Sequence, residues 1–355
     1  MKREIEKIFE EKASVINRMI ERYIPREYNE DSLIFTLGPP RYEYNMEAIN
    51  KAIADPVWEF LDRGGKRWRP ILFLLVCEAL GAAPKKLLEF AIIPEIIHNG
   101  TLMIDDVEDA SEIRRGKPCT YKLFGLDIAI NTGNVMYYLP LLALIKNKNK
   151  ISIEKQNRIY EIYLHEMIRL SFGQAMDIAW HKGLAEANEK QYLQMCVYKT
   201  GTLARMSAKM AAVLAGASDD TIEGMGRFAE TTAVAFQIQD DVLDLVGEEF
   251  AEKKGGLGQD ITEGKRSLMV IHTLEKAEPA DKKRLLQILD THTTDQKLRD
   301  EAISIIKKYG SVRYARWFAR GLIEKGWKEI DKLLQASEAK EKLRAFAHYL
   351  VEREI

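Results

Sequence analysis

The chain has 355 residues, 46% hydrophobic and 30% charged, with a net charge of −1, which is enough apolar material for a sizeable globular core. No basic block points to nucleic acid, and the longest continuous apolar run, residues 71–77, is too short to span a bilayer, so no transmembrane segment is expected. The scattered Cys77, Cys119 and Cys196 fit neither a disulfide framework nor a zinc spacing, which favours a reducing cytoplasm, and Met1-Lys2-Arg3 leads into charged sequence rather than a signal peptide.

Helical periodicity prevails and alternating strand patterns are nearly absent, so an all-α, single-domain bundle is expected over residues 1–355. Residues 1–50, broken by Pro25 and Gly38-Pro39-Pro40, read as peripheral N-terminal helices. Gly64-Gly65-Lys66-Arg67-Trp68-Arg69-Pro70 is a glycine loop opening a helix, where backbone and cations can approach a phosphate together; taken alone it reads first as a basic helix start. An apolar helix follows, through His98, Gly100 and Thr101, and ends in Asp105-Asp106-Val107-Glu108-Asp109. His98 on such a helix reads by default as a satisfied core histidine. Arg114-Arg115-Gly116 comes next, and two adjacent arginines diverge in direction, which suits either two separate anions or a solvated loop.

The runs 151–172, 191–215 and 221–246 are long, free of internal proline and rich in helix formers. Lys199-Thr200 lies inside the second, where a surface lysine is the default and a polar cavity the alternative. The third ends, after Phe236-Gln237, in Asp240-Asp241-Val242-Leu243-Asp244, a second cluster of the same form as the first. At one hundred degrees per residue, positions i, i+1 and i+4 share a helical face, so each cluster presents its carboxylates to a common space. Carboxylates leaving apolar helices cost several kcal/mol apiece unless neutralised. A hard divalent cation such as Mg2+, completed by water and polyphosphate oxygens, would neutralise them. A glycine-rich turn at Gly255-Gly256-Leu257-Gly258 and then Lys265 follow, the lysine fitting phosphate contact and plain solubility equally well.

In this order, Gly-Gly-Lys-Arg-Trp-Arg-Pro, His98, the first Asp-Asp-x-x-Asp, Arg114-Arg115-Gly116, Lys199-Thr200, Phe236-Gln237 with the second Asp-Asp-x-x-Asp, and Glu263-Gly264-Lys265 resemble the trans-isoprenyl diphosphate synthases over residues 60–270. The stretch His98-Asn99-Gly100-Thr101 through Gly116 is most similar to geranylgeranyl diphosphate synthases. The resemblance implies a helical bundle around a central apolar cavity and a homodimer. It implies that Lys66, Arg69, His98 and Arg115 hold isopentenyl diphosphate, and that Arg114, Lys199, Thr200, Gln237 and Lys265 grip the allylic diphosphate. Asp105, Asp106, Asp109, Asp240, Asp241 and Asp244 match the groups that bind several Mg2+ ions, with Mn2+ a substitute; they and Lys199 form the implied catalytic set. The implied reaction ionises the allylic diphosphate, adds the isopentenyl double bond, and loses a proton and diphosphate.

One turn before Asp105, Gly100 and Thr101 stand where short-chain synthases carry large aromatics, so Gly100 reads either as room for a growing chain or as a site of close helix packing; the first implies products of geranylgeranyl length or longer. The family's Gly-Lys-x-x-Gly-x-Asp lysine is displaced here to Lys254, in Lys253-Lys254-Gly255-Gly256-Leu257-Gly258-Gln259-Asp260. Ile104 replaces a family histidine, and Pro118-Cys119-Thr120-Tyr121 replaces Pro-x-x-His. A terpene cyclase would mix Asn, Ser, Thr and Glu into its second motif, and a noncatalytic regulatory subunit would have lost acidic ligands. A purely structural bundle gives no reason for Lys66, Arg69, Arg114 and Arg115.

Overall fold

The computed structural model describes residues 2–247 and 256–352. Helices dominate it, and among the described residues the sole sheet is a two-stranded hairpin, so the all-α expectation holds. The chain divides into two compact units, residues 1–160 with 210–217, and residues 161–209 with 218–355.

In the first unit, α1 (Lys2–Tyr23) lays Ile5, Ile16, Ile20 and Tyr23 into the core, and its Arg22 reaches the carboxylate of buried Glu89 at 2.8 Å. Helix α2 (Asp55–Asp62) leads into the glycine loop, and α3 (Trp68–Ala79) follows, buried nearly all round. Helix α4 (Ile93–Glu108) has Pro94 in its first turn, where a missing amide costs nothing, and ends at the first acidic cluster with Asp109 as its cap. Strands β1 (Ile113–Arg114) and β2 (Lys117–Pro118) pair Arg114 with Lys117 across a tight turn in which Arg115 (φ +53°) and Gly116 (φ +75°) are both left-handed. Helix α5 (Leu126–Tyr138) then packs along α4.

The stretch Leu126–Lys146, 21 residues, is long and apolar enough to cross a membrane by length and composition, which the continuous run 71–77 did not reveal. A share of 39% of its most apolar window is buried, and Leu126, Ile130 and Tyr138 are exposed on α5.

Helix α6 (Ile153–His181) continues nine residues past the expected end at Phe172, carrying Asp177 on its extension. The run 191–215 is two helices, α7 (Glu189–Lys199) and α8 (Gly201–Ala215), parted at Thr200. Glycine at 201 weakens the helix, and a Cβ there would press within 3.1 Å of Glu230 Cγ. In the second unit α9 (Asp219–Val246) packs along α13 (Ser311–Ile330), with Phe228 edge-on to Trp327 at 5.8 Å between centroids. Helices α10 (Leu268–Lys276), α11 (Pro279–Asp290), α12 (Gln296–Lys308) and α14 (Glu338–Glu352) complete it.

Candidate active site

The glycine loop is shaped by a crowd of guanidiniums. Gly64 (φ +90°) and Gly65 (φ +141°) take backbone angles that side chains resist, and a Cβ on Gly65 would lie 3.2 Å from both Arg115 Nη2 and Arg67 Nη1. Arg67, itself left-handed at the entry to α3, is buried: it donates to Glu95 Oε1 at 3.2 Å, to Asn17 Oδ1 and to the Leu61 carbonyl. Arg69 is buried with its Nε lacking a hydrogen bond, and burial pulls its guanidinium down to about 10. Arg115 is likewise drawn down to about 10 by burial; it donates to the Gly64 carbonyl and, at 3.2 Å, to Asn99 Oδ1.

His98 is half-buried, and burial first, then the fields of Arg69, Arg115, Arg67 and Arg114, hold its imidazole far below its ordinary value. At neutral pH it is therefore an uncharged ring whose N–H can be donated to an anion. Arg67 is paired with Glu95 and Arg114 with Asp106, but Arg69 and Arg115 form no salt bridge among the described residues, and holding two such cations out of water is costly without an anionic partner. The structure thus brings Arg69 and Arg115 near His98, while Lys66 sits exposed on the loop. Sequence reasoning missed Arg67, Glu95 and Asn99, which hold the others in place.

It also missed Arg63. That side chain is fully buried, chelates Glu59, and donates to the carbonyls of Arg114 (3.1 Å) and Pro118 (2.8 Å), one on each strand of the hairpin. A lysine has no planar fork to bridge both strands. Arg63→Lys is expected to raise the KM for a diphosphate substrate about tenfold with a smaller change in kcat, near 1.4 kcal/mol of lost positioning, measurable by steady-state kinetics.

Arg114 turns toward the first acidic cluster, with Nε 2.6 Å from Asp106 Oδ1 and Nη2 3.7 Å from Asp105 Oδ2. Asp106 is fully buried and burial raises its carboxyl, the arginine opposing that rise. Asp105 and Asp109 are half-buried.

Gly100 sits in a tight helix contact. A Cβ there would lie 2.8 Å from Met136 Cβ and 2.9 Å from the Gly133 carbonyl, and a Cβ on Gly133 would lie 2.7 Å from Ile104. Gly100 and Gly133 let α4 and α5 touch backbone to backbone, so the space at the Gly100 Cβ position is filled. Ile104, standing in for the family histidine, closes this same contact. Thr101 is half-buried and donates to the His98 carbonyl at 2.7 Å. Cys119 is buried, its amide bonded to the Glu112 carbonyl, and Tyr121 donates to the Ser111 carbonyl.

In the second unit, α9 carries Gln237, Asp240, Asp241 and Asp244 on its last turns. Thr200 donates to Gln237 Oε1 (3.0 Å), Gln237 Nε2 donates to Asp241 Oδ1 (2.7 Å), and Tyr192 donates to Asp241 Oδ2 (2.9 Å). Burial raises the Asp241 carboxyl, and the charge of Asp260 raises it further. Asp244 accepts the Asp260 amide at 3.0 Å. Lys265 pairs with Glu263 and, at 3.4 Å, with Asp260. Lys199 is bound to Asp177 at 2.6 Å.

That last pair depends on Gly173. A Cβ there would overlap the Lys199 amide nitrogen and lie 2.7 Å from the Tyr198 carbonyl carbon, so glycine alone lets α6 and the end of α7 close together. Asp177 lies on α6 beyond the predicted run 151–172, so no sequence signal places it here.

Around the second cluster Asp177, Asp240, Asp241, Asp244, Asp260 and Glu263 stand against Lys199 and Lys265, an excess of carboxylate that calls for cations. Among the described residues no three acidic, His or Cys side chains already form a closed metal cage. In each cluster one carboxylate already has protein partners: Asp106 is engaged by Arg114, and Asp241 by Tyr192 and Gln237. An all-oxygen, incompletely caged set suits Mg2+, which keeps water and phosphate oxygens and takes few protein ligands. Lys254 lies outside the described residues.

Comparison with known proteins identifies the family. The polyprenyl synthetase family model matches residues 50–306. A short chain isoprenyl diphosphate synthase of Methanothermobacter thermautotrophicus is 35% identical over 316 residues, 87% of this chain and 95% of that protein. The geranylgeranyl pyrophosphate synthetase of Pyrococcus horikoshii superposes with a TM-score of 0.84 at 31% identity, over 98% of this chain and 99% of that one. A geranylgeranyl pyrophosphate synthase from Corynebacterium glutamicum, solved with isoprenyl diphosphate and magnesium, has a TM-score of 0.82 at 21% identity over 96% of this chain and 98% of that one, a likeness of fold. Matched by that family model across most of its length and by relatives above 30% identity along nearly all of it, this chain belongs to the polyprenyl synthetase family and is an isoprenyl diphosphate synthase.

Proposed function

We propose that the protein condenses isopentenyl diphosphate head-to-tail with an allylic diphosphate, giving geranylgeranyl diphosphate or a longer all-trans product and releasing diphosphate. Arg69 and Arg115 beside neutral His98 support this most strongly, because they gather cationic donors that the carboxylates facing Arg114 do not neutralise. Arg69, His98 and Arg115, with Lys66 at the rim, would hold isopentenyl diphosphate. Arg114, Lys199, Thr200, Gln237 and Lys265 would orient the allylic diphosphate.

The carboxylates of Asp105, Asp106, Asp109, Asp240, Asp241 and Asp244 would hold Mg2+, directly or through water, with Mn2+ a substitute. Bound Mg2+ would neutralise charge gathering on the leaving diphosphate. Lys199, pre-set by Asp177, would meet the same charge from the protein side, and Tyr192 and Gln237 keep Asp241 oriented. Incubating the purified protein with Mg2+, isopentenyl diphosphate and each of dimethylallyl, geranyl and farnesyl diphosphate should give elongated products by chromatography. A single cyclised hydrocarbon, or no product from any primer, would refute the reading.

We place the enzyme in the cytoplasm, as its three buried free cysteines favour, and as a homodimer. Leu164, Ile168 and Phe172 form an exposed stripe at i, i+4, i+8 on α6, 57%, 57% and 65% exposed, a row that a lone protein seldom leaves in water. Ile168→Glu with Phe172→Glu is expected to shift the protein to monomer in sedimentation velocity; an unchanged dimer would move the interface elsewhere.

A further inference from the structure

Away from the catalytic residues, α12 and α13 meet at a left-handed Gly310 (φ +69°). The faces they leave outward share one chemistry. Lys307, Lys308, Arg313, Arg316, Trp317 and Arg320 line one shallow depression, and among the described residues no acidic side chain lines it. On α13 the positions 313, 316, 317 and 320 are spaced i, i+3, i+4, i+7, so the three arginines ring one indole on one helical face. Trp317 is 68% exposed. The packing face of the same helix is already satisfied by Ala315, Ala319, Ile323 and Trp327, all buried, so Trp317 touches the body of the protein by an edge, with its ring centroid 6.0 Å from that of Tyr314, and is otherwise left to solvent. Lys308 is tied to Asp281 at 2.6 Å, whereas the arginines form no salt bridge among the described residues.

We propose that this face docks on anionic lipid membranes, with Arg313, Arg316 and Arg320 meeting lipid phosphates and Trp317 entering the boundary between headgroups and acyl chains. Charge complementarity alone would suit any polyanion. A solvent-exposed indole in the centre of the cations adds an amphipathic ring that prefers the membrane interface, where its apolar body is shielded and its N–H stays wet. The inference rests on surface residues and stands apart from the catalytic reading, although docking would also bring a product with a long apolar chain to the phase in which that chain dissolves.

The test is flotation of the full-length protein with phosphatidylcholine vesicles made with and without phosphatidylglycerol. Wild type should float with the anionic vesicles, stay down with neutral ones, and be released by high salt as the surface field is screened. Arg313→Glu/Arg316→Glu/Arg320→Glu should weaken anionic-vesicle binding on the order of 100-fold, about fivefold per arginine. Trp317→Ala should weaken it roughly tenfold. Both variants should keep wild-type synthase activity without vesicles, which shows that they are folded. The proposal is overturned if wild type ignores anionic vesicles, binds neutral ones equally, or if the folded variants bind like wild type. It is equally overturned if heparin binds the face with Trp317→Ala indistinguishable from wild type and no vesicle is bound, which would make it a site for a soluble polyanion.

Discussion

Asp106→Asn should lower kcat/KM by roughly 10^2- to 10^3-fold while leaving the protein folded. The side chain is fully buried and receives the Arg114 Nε at 2.6 Å, and asparagine has the same shape and an oxygen that can still accept that bond. What disappears is one negative charge, and with it the means of sharing a divalent cation. Leaving Arg114 beside a neutral amide also turns the local balance positive, which favours anion binding in the ground state. The loss should therefore fall on kcat more than on KM, and raising Mg2+ should recover part of it. Steady-state kinetics across a Mg2+ series, with a thermal melt beside it, checks this; activity near wild type at ordinary Mg2+ would remove Asp106 from the metal set.

Gly100→Phe should destabilise the protein instead of shortening its product. Overpacking a filled helix contact costs roughly 1–3 kcal/mol, and the upper end or beyond is expected here because the carbonyl of Gly133 cannot rotate away as a side chain can. Gly133→Ala should show the same effect from the other helix, since its Cβ would overlap Ile104. Melting temperature and soluble yield measure the cost. A stable Gly100→Phe protein that makes shorter products would show that this position borders the growing chain.

The parts of the site legible in the sequence were those written locally. Both Asp-Asp-x-x-Asp clusters, the glycine loop and the paired arginines carry their chemistry within a few residues, and the turn at Arg115-Gly116 follows from one glycine beside one arginine. The invisible parts act across long separations: Arg63 reaches Pro118 over 55 positions, Arg67 reaches Glu95 over 28, and Lys199 meets Asp177 over 22. Nothing in the neighbourhood of Glu95, Asn99 or Asp177 marks them as supports.

Glycines were the most ambiguous residues for the same reason. Gly100 and Gly173 look alike in sequence, as helical residues without a side chain, and only the neighbours show that one admits α5 and the other admits the end of α7. The division of the run 191–215 at Thr200 is a similar case, because Thr200 is drawn to Gln237 by a contact that local propensity cannot report.

Calorimetric binding of a non-reactive thiolodiphosphate analogue of farnesyl diphosphate, with and without EDTA, reaches the central claim most directly. Tight binding that requires Mg2+ or Mn2+, and that falls sharply in Asp106→Asn and Asp240→Asn, is the predicted result. Binding of equal strength in EDTA, or untouched by either substitution, would contradict the assignment of the two aspartate clusters to metal.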